Sequence, residues 1–240
     1  MIAQKDVADP FLQRVPTKLE EMATLKHLGY TSPIEALAEK FHMSEELLKE
    51  LNPGSKFGRG ESIRVVNLGK SALPAAVNRI EVDKHTEAVW VYGAANRLIA
   101  AYPASIGSGD TPSPEGRLKV VSVSRNPTYV YDPSKLSFKG VKATTKLVIP
   151  PGPNNPVGLV WIALDAPSYG IHGSPQPSKV RRQESHGCVR LTNWDALQLA
   201  SAVKKGVPVE FIGANQRDRH PRGATKGQET RKLKARLQPI

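Results

Sequence analysis

Between Ser32 and Val66 the apolar positions recur at helical spacing. Ser32-Pro33-Ile34-Glu35 combines a capping serine, a proline at the first helical position and a glutamate three residues after the cap, which marks a helix start. Ile34, Leu37, Ala38 and Phe41 then fall at i, i+3, i+4 and i+7 and give that helix one apolar face. Ser44 opens a second helix, with Glu45 and Glu46 in its first turn, Leu47, Leu48 and Leu51 on its buried side and "NPG" as its stop. "SIRVV" reads as a strand after it, whereas "LEEMATLKHLGY" upstream has helical character. Beyond a linker in "NLGKSALPAAVNR" the period changes to alternation. "RIEVDKHTEAVWVYGAANRLIAAYPASIG" predicts successive strands with a turn at Gly93 to Asn96, and "RLKVVSV", "GLVWIALD", "YGIH" and "VPVEFI" predict further strands. One helix interrupts them, with Asn193 as its cap, Asp195 in its first turn and Gly206 at its end; either Leu197 with Ala200 or Leu199 with Val203 faces the core.

Many short strands with Gly and Pro turns and a single helix predict a mainly β (α+β) chain whose large domain is a β-sandwich or barrel. The expected division is a small helical segment over residues 1–70, a linker over 71–78, the β domain over 79–213 and a tail over 214–240. No run approaches the roughly 18 apolar residues that cross a bilayer. "MIAQKDVADP" lacks the basic-then-apolar pattern of a secretory signal, so for an exported protein the signal is expected to have been removed or to lie upstream.

The net charge of +12 points to an anionic partner, and it is unevenly placed. Residues 214–240 hold eight Lys or Arg against two acids and almost no apolar side chains, which reads as a disordered basic arm: a solubility tail or a contact to an anionic polymer. Recognition of nucleic acid is not expected, because aromatics make up 6% of the chain and none lies in the tail to stack on bases.

A single cysteine, Cys188 in "SHGCVRLTN", excludes an internal disulfide and leaves a thiol that is either quiet or reactive. As a nucleophile it needs a base or a positive dipole nearby, since a free thiol is only a few per cent ionised at neutral pH. His186 lies two positions away, and Gly187 permits a tight turn that leaves its amide and that of Cys188 free for a developing oxyanion. His172, at the end of "SYGIHG", is a second histidine. Together His172, His186 and Cys188 could also supply three zinc ligands, but no CxxC or HExxH accompanies them. Arg190 could hold a substrate carboxylate through its forked donors or brace the loop. Asn193 reads as a helix cap or a substrate contact.

"YGIHGSPQPSKVRRQESHGCVRLTNWDALQLA" resembles the signature of the L,D-transpeptidase catalytic domain, the YkuD family: His-Gly, a loop, Ser or Thr, then His-Gly-Cys and Arg or Asn. "TPSPEGRLKV" is similar to the family's turn and strand before its active-site lid, and "RNPTYVYDPSKL" with "IPPGPNNPVGLVWIALD" resembles the lid, around Tyr129 to Leu136, and the strand behind it. The likeness runs from about Asn78 to Gly213. It implies Cys188 as nucleophile, His172 as general base oriented by the carbonyl of Gly173, and His186 in support. Gly187 and Cys188 amides would serve the oxyanion, with a tyrosine hydroxyl for which Tyr169 is a candidate; Ser185 would stabilise the loop or a histidine, and Arg190 would contact the peptide stem. It further implies 3→3 cross-linking of peptidoglycan stems by thioester acyl transfer, no metal or organic cofactor, and a periplasmic or wall location. Hydrolysis by an L,D-carboxypeptidase and a non-catalytic wall-binding role are the alternatives. "LAEKFHMSEELLKELNPGSKFGRGESIRV" resembles a LysM module, which implies peptidoglycan glycan as a further partner.

Overall fold

Strict alternation of side chains builds the sheet. In β1 (Arg79–Asp83) and β2 (Ala88–Tyr92), Ile80, Val82, Val89 and Val91 are fully buried while their neighbours are only partly so. β3 (Leu98–Pro103) follows through the predicted turn. β4 (Gly116–Arg125), β7 (Val160–Leu164), β8 (Gly170–His172), β9 (Val189–Arg190) and β10 (Pro208–Ile212) complete a sheet ordered β3-β2-β1-β10-β4-β7-β8-β9. The β1–β10 and β8–β9 pairs are parallel and the others antiparallel. A pair of short strands, β5 (Tyr129–Tyr131) and β6 (Leu147–Ile149), forms a separate antiparallel ladder. The coordinates are a computed structural model describing residues 1–8, 10–69, 72–107, 113–134, 140–182 and 187–213.

β4 belongs to both halves of the sheet. An irregularity between Val120 and Ser122 lets its start pair with β10 and its remainder with β7, the bend that a bulge introduces into a long strand. The sheet curls until its two edges meet: Ser105, just past β3, and Arg190 of β9 exchange backbone hydrogen bonds of 2.9 and 2.8 Å. Both halves line one apolar core, closed by α4 (Asn193–Ala202) through Ala196, Leu199 and Ala200, with Val203 beyond its end.

Three details of the sequence reading are corrected. The cap of α4 is Thr192, whose hydroxyl accepts from the Asp195 amide at 3.2 Å, so Asn193 is the first helical residue. The helix ends at Ala202 because Val203 turns extended, before Gly206 is reached. "SIRVV" is extended but forms no strand. The Asn52 side chain takes both the amide and the carbonyl of Arg64, at 2.6 and 2.8 Å, while Ile63 and Val65 pack on a local cluster.

Two of the three N-terminal α-helices form as their serine caps dictate. α1 (Leu19–Met22) is a single turn; α2 (Pro33–Lys40) is capped by Ser32 and α3 (Glu45–Leu51) by Ser44. Leu37, Ala38, Met43, Leu48 and Phe57 gather with Ile2 in a core of their own. A third cluster joins Leu19 and Leu28 to Tyr131 and Ile149 of the β5–β6 pair. Among the described residues no helix is long and apolar enough to cross a membrane.

Candidate active site

β8 and β9 run parallel with Ile171 opposite Val189 and His172 opposite Arg190. Ile171 and Val189 are buried in the core, so alternation sends His172 and Arg190 to the other face. Cys188, the residue before β9, is two positions from Arg190 and lies within reach of its charge.

His172 is only 4% exposed, and its Nδ1 lies 2.6 Å from the Gly173 carbonyl oxygen. A carbonyl only accepts, so Nδ1 carries the proton and Nε2 of the neutral ring is left with its lone pair. The Trp161 ring stacks on the imidazole, with centroids 5.5 Å apart and planes 23° apart, which fixes the ring's second degree of freedom. Burial, and then the Arg190 charge, push the imidazole pKa down to about 4 against the pull of the Gly173 bond, so the ring is neutral at pH 7.

Burial likewise pushes the half-buried Cys188 thiol up, opposed by a backbone hydrogen bond with Gly170 and by Arg190. Its Sγ lies 3.5 Å from the Ser168 carbonyl, consistent with a protonated thiol. The resting pair is therefore thiol and neutral imidazole, not thiolate and imidazolium. Arg190, half-buried and with its own pKa lowered by burial, keeps its charge and supplies the fixed positive field.

Gly187 has φ +103°, a conformation side-chain-bearing residues avoid. Its carbonyl accepts from the buried Ser113 hydroxyl at 2.7 Å, and Ser113 Oγ in turn accepts from the Gly107 amide at 2.9 Å. With the Gly187 carbonyl held, the trans peptide aims the Cys188 N–H the opposite way.

Sequence reading named Cys188, His172, Gly173, Gly187 and Arg190, and the fold brings all five to the junction of β8, β9 and their loops. Tyr169 is partly buried in the β7–β8 turn, where its carbonyl accepts from Leu164. Tyr129 of β5 is a tyrosine within electrostatic reach of Cys188: burial first, and then the nearby Cys188 sulfur, push its phenol up to about 12. Tyr129, Ser113 and Trp161 escaped the sequence reading as site residues; the one signal was their position in segments resembling the family's lid, preceding turn and supporting strand. Ser185 and His186, the lid end at Lys135 and Leu136, and the basic tail lie outside the described residues. Among those described, no group of three His, Cys, Asp or Glu side chains could hold a metal ion.

Asn193 is fully buried and ties three segments together. Its Oδ1 accepts from the Leu159 amide at 3.0 Å, and its Nδ2 donates to the Pro153 carbonyl and to Glu39 of α2, each at 3.2 Å. A Cβ on Gly173 would collide with that Oδ1, so the residue accepting the His172 proton is packed directly against Asn193. A cleft of about 350 Å³ between α2, α3 and α4, with Glu39, His42 and Trp194 on its wall, contains neither Cys188 nor His172.

The sequence's lone thiol and the tautomer-fixed histidine thus lie at one junction of a curled, mainly β sheet. The family model of the L,D-transpeptidase catalytic domain, YkuD, matches residues 77–211, more than half of the chain, and the protein belongs to that family. It is 28% identical over 182 residues to the putative L,D-transpeptidase YkuD of Bacillus licheniformis, covering 74% of this chain and 92% of that one. To the probable L,D-transpeptidase YbiS of Escherichia coli K12 it is 29% identical over 190 residues, covering 77% of this chain and 61% of that one. A solved L,D-transpeptidase from Mycobacterium smegmatis superposes with a TM-score of 0.45 at 20% identity, over 57% of this chain and 59% of that chain.

Proposed function

We propose that the protein is a peptidoglycan L,D-transpeptidase that forms 3→3 cross-links through a Cys188 thioester. The observation that carries the reading is the 2.6 Å hydrogen bond from His172 Nδ1 to the Gly173 carbonyl, which leaves Nε2 as a base on the face that Cys188 shares. In the first step the Cys188 thiol gives its proton to His172 Nε2 as sulfur attacks the carbonyl at the L centre of the donor's diaminopimelate. The terminal D-Ala amine leaves with that proton and the thioester remains. An amine of a second stem then attacks the thioester, losing its proton to His172, and the thiol is restored.

A neutral imidazole beside a thiol suits this sequence, because the base is free to accept and the ion pair forms only as the bond to carbon develops. The amides of Gly187 and Cys188, with the Tyr129 hydroxyl rather than that of Tyr169, are assigned to the oxyanion, and Arg190 to stabilising the thiolate and the stem carboxylate. His186 and Ser185 keep the supporting roles the family resemblance gives them. The reading places the protein in the periplasm or wall, with the basic tail against anionic polymer and the LysM-like segment beside glycan.

The test is incubation with disaccharide tetrapeptide and mass analysis of the products. Cross-linked dimer with release of D-Ala supports transfer, and tripeptide alone overturns it in favour of hydrolysis. A carbapenem should add one acyl group to the wild-type chain and none to Cys188→Ala; labelling that survives the substitution removes Cys188 from the mechanism.

A further inference from the structure

The β5–β6 pair is not hydrogen-bonded into the eight-stranded sheet. Its apolar support comes instead from the N-terminal segment. Leu19 and Leu28 share a buried cluster with Tyr131 and Ile149, and Leu12, Val15 and Met22 pack around it together with Tyr129 and Leu147. Tyr129 pairs with Ile149 and Tyr131 with Leu147, so these four side chains lie on one face of the ladder, while Val130 and Val148 on the other are exposed. One face therefore grips the N-terminal segment and carries Tyr129, which packs on the same cluster and lies within electrostatic reach of Cys188.

Polar contacts fix the register of this grip. A single carboxylate oxygen, Glu20 Oε1, accepts the amides of Lys142 and Ala143 at 2.8 and 3.1 Å, on the chain leading into β6. Behind β6, the Leu28 amide donates to the Pro151 carbonyl at 2.9 Å and the Leu28 carbonyl accepts from Asn154 at 3.0 Å. Hydrogen bonds to its own amide and to Lys142 hold the Glu20 carboxyl below its usual range, so it is ionised at neutral pH.

We propose that residues 12–28 form a strap that sets the β5–β6 ladder, and with it Tyr129, over Cys188, and that Glu20 is the positioning residue of this strap. Glu20 touches neither thiol nor imidazole and acts through the ladder. The assignment of Tyr129 to the oxyanion belongs to the proposed function, and the strap is the means by which that side chain is held.

The experiment measures alkylation of Cys188, the only cysteine, by iodoacetamide at fixed pH in the full chain, alongside amide hydrogen exchange. Glu20→Ala removes both hydrogen bonds and should speed alkylation about five- to tenfold, with faster exchange over 129–131 and 147–149 and unchanged exchange in β1, β2 and β10. Glu20→Gln keeps an oxygen at the same place and should stay within about twofold of the wild type. In a Tyr129→Ala background, Glu20→Ala should add little, since the residue it positions is gone. Wild-type alkylation by Glu20→Ala, equal acceleration by both Glu20 variants, or full additivity with Tyr129→Ala would each overturn the proposal. None of these readouts needs turnover, so a protein that fails to cross-link stems leaves the strap standing, and a cross-linking enzyme with an indifferent Glu20 refutes the strap alone.

Discussion

Replacing Glu39 by glutamine should remove a pH-dependent strain from the junction of α2 and α4. Burial, reinforced by the Glu35 charge and opposed by the hydrogen bond from Asn193, raises the Glu39 carboxyl from 4.5 to about 8. Lys40, the adjacent cation, is turned away to Asp6 at 2.6 Å. Below pH 4.5 Glu39 is protonated in both folded and unfolded chains and costs nothing. Between 4.5 and 8 the unfolded chain releases a proton that the folded chain retains, so stability falls as pH rises, and the loss is complete above the folded value. At about 1.4 kcal/mol per pH unit the interval caps the loss at about 5 kcal/mol, and residual water at a half-buried carboxyl brings the expectation to about 2–4 kcal/mol. Glutamine keeps an oxygen for Asn193 and never ionises. Urea unfolding from pH 5 to pH 9 should find wild type and Glu39→Gln nearly equal at pH 5, with the variant ahead by about 2–4 kcal/mol at pH 9 and unchanged m values. Parallel stability curves across that range would refute the reasoning, because every other titrating group is common to both proteins.

Two further substitutions probe the Cys188 loop. Ser113→Ala removes the buried hydroxyl that bridges the Gly107 amide and the Gly187 carbonyl; it should cost about 1–3 kcal/mol in thermal or urea unfolding and slow carbapenem acylation by at least tenfold, since the peptide bearing the Cys188 amide loses this anchor. Gly187→Ala forces a Cβ into φ +103°; it should cost about 1–3 kcal/mol and abolish acylation while the Cys188 thiol still reacts with iodoacetamide.

What was legible in the sequence was local. Ser32 and Ser44 cap helices because a hydroxyl three residues before an amide needs no tertiary help, and β1, β2 and β7 alternate over enough residues to declare their period. β9 has two residues and β5 and β6 three each, too few for a period to register. "SIRVV" carries strand composition, but no neighbouring strand accepts it, and the Asn52 amide satisfies its backbone instead. Thr192 and Asn193 are adjacent cap formers; the choice between them is made by Leu159, Pro153 and Glu39, which claim the asparagine from far along the chain. The site divides the same way. Cys188, Gly187, Arg190 and His172 fall within one continuous motif, whereas Ser113 meets Gly187 across 74 residues and Tyr129 reaches Cys188 from a ladder outside the main sheet.

The N-terminal segment, outside the residues that the family model matches, contacts Asn193 as well as the chain around β6. His172 keeps its tautomer because Nδ1 donates to Gly173, and Asn193 Oδ1 occupies the space that a side chain on Gly173 would take. Asn193 in turn is held by Pro153 and by Glu39 of α2. Asn193 thereby links α2 to the residue whose carbonyl takes the imidazole hydrogen bond. Two separate contacts, Glu20 with the chain before β6 and Glu39 with Asn193, thus tie the helical segment to the β domain. The contacts also differ in charge: Glu20 accepts its two amides as an ionised carboxylate at neutral pH, while Glu39 fits its place best when neutral. Raising the pH from 7 to 9 leaves the first intact and charges the second, so the α4 side should loosen first: amide exchange over 193–202 should be faster in the wild type than in Glu39→Gln at pH 9, with equal exchange over 129–131 and 147–149, and equal exchange over 193–202 would refute the link.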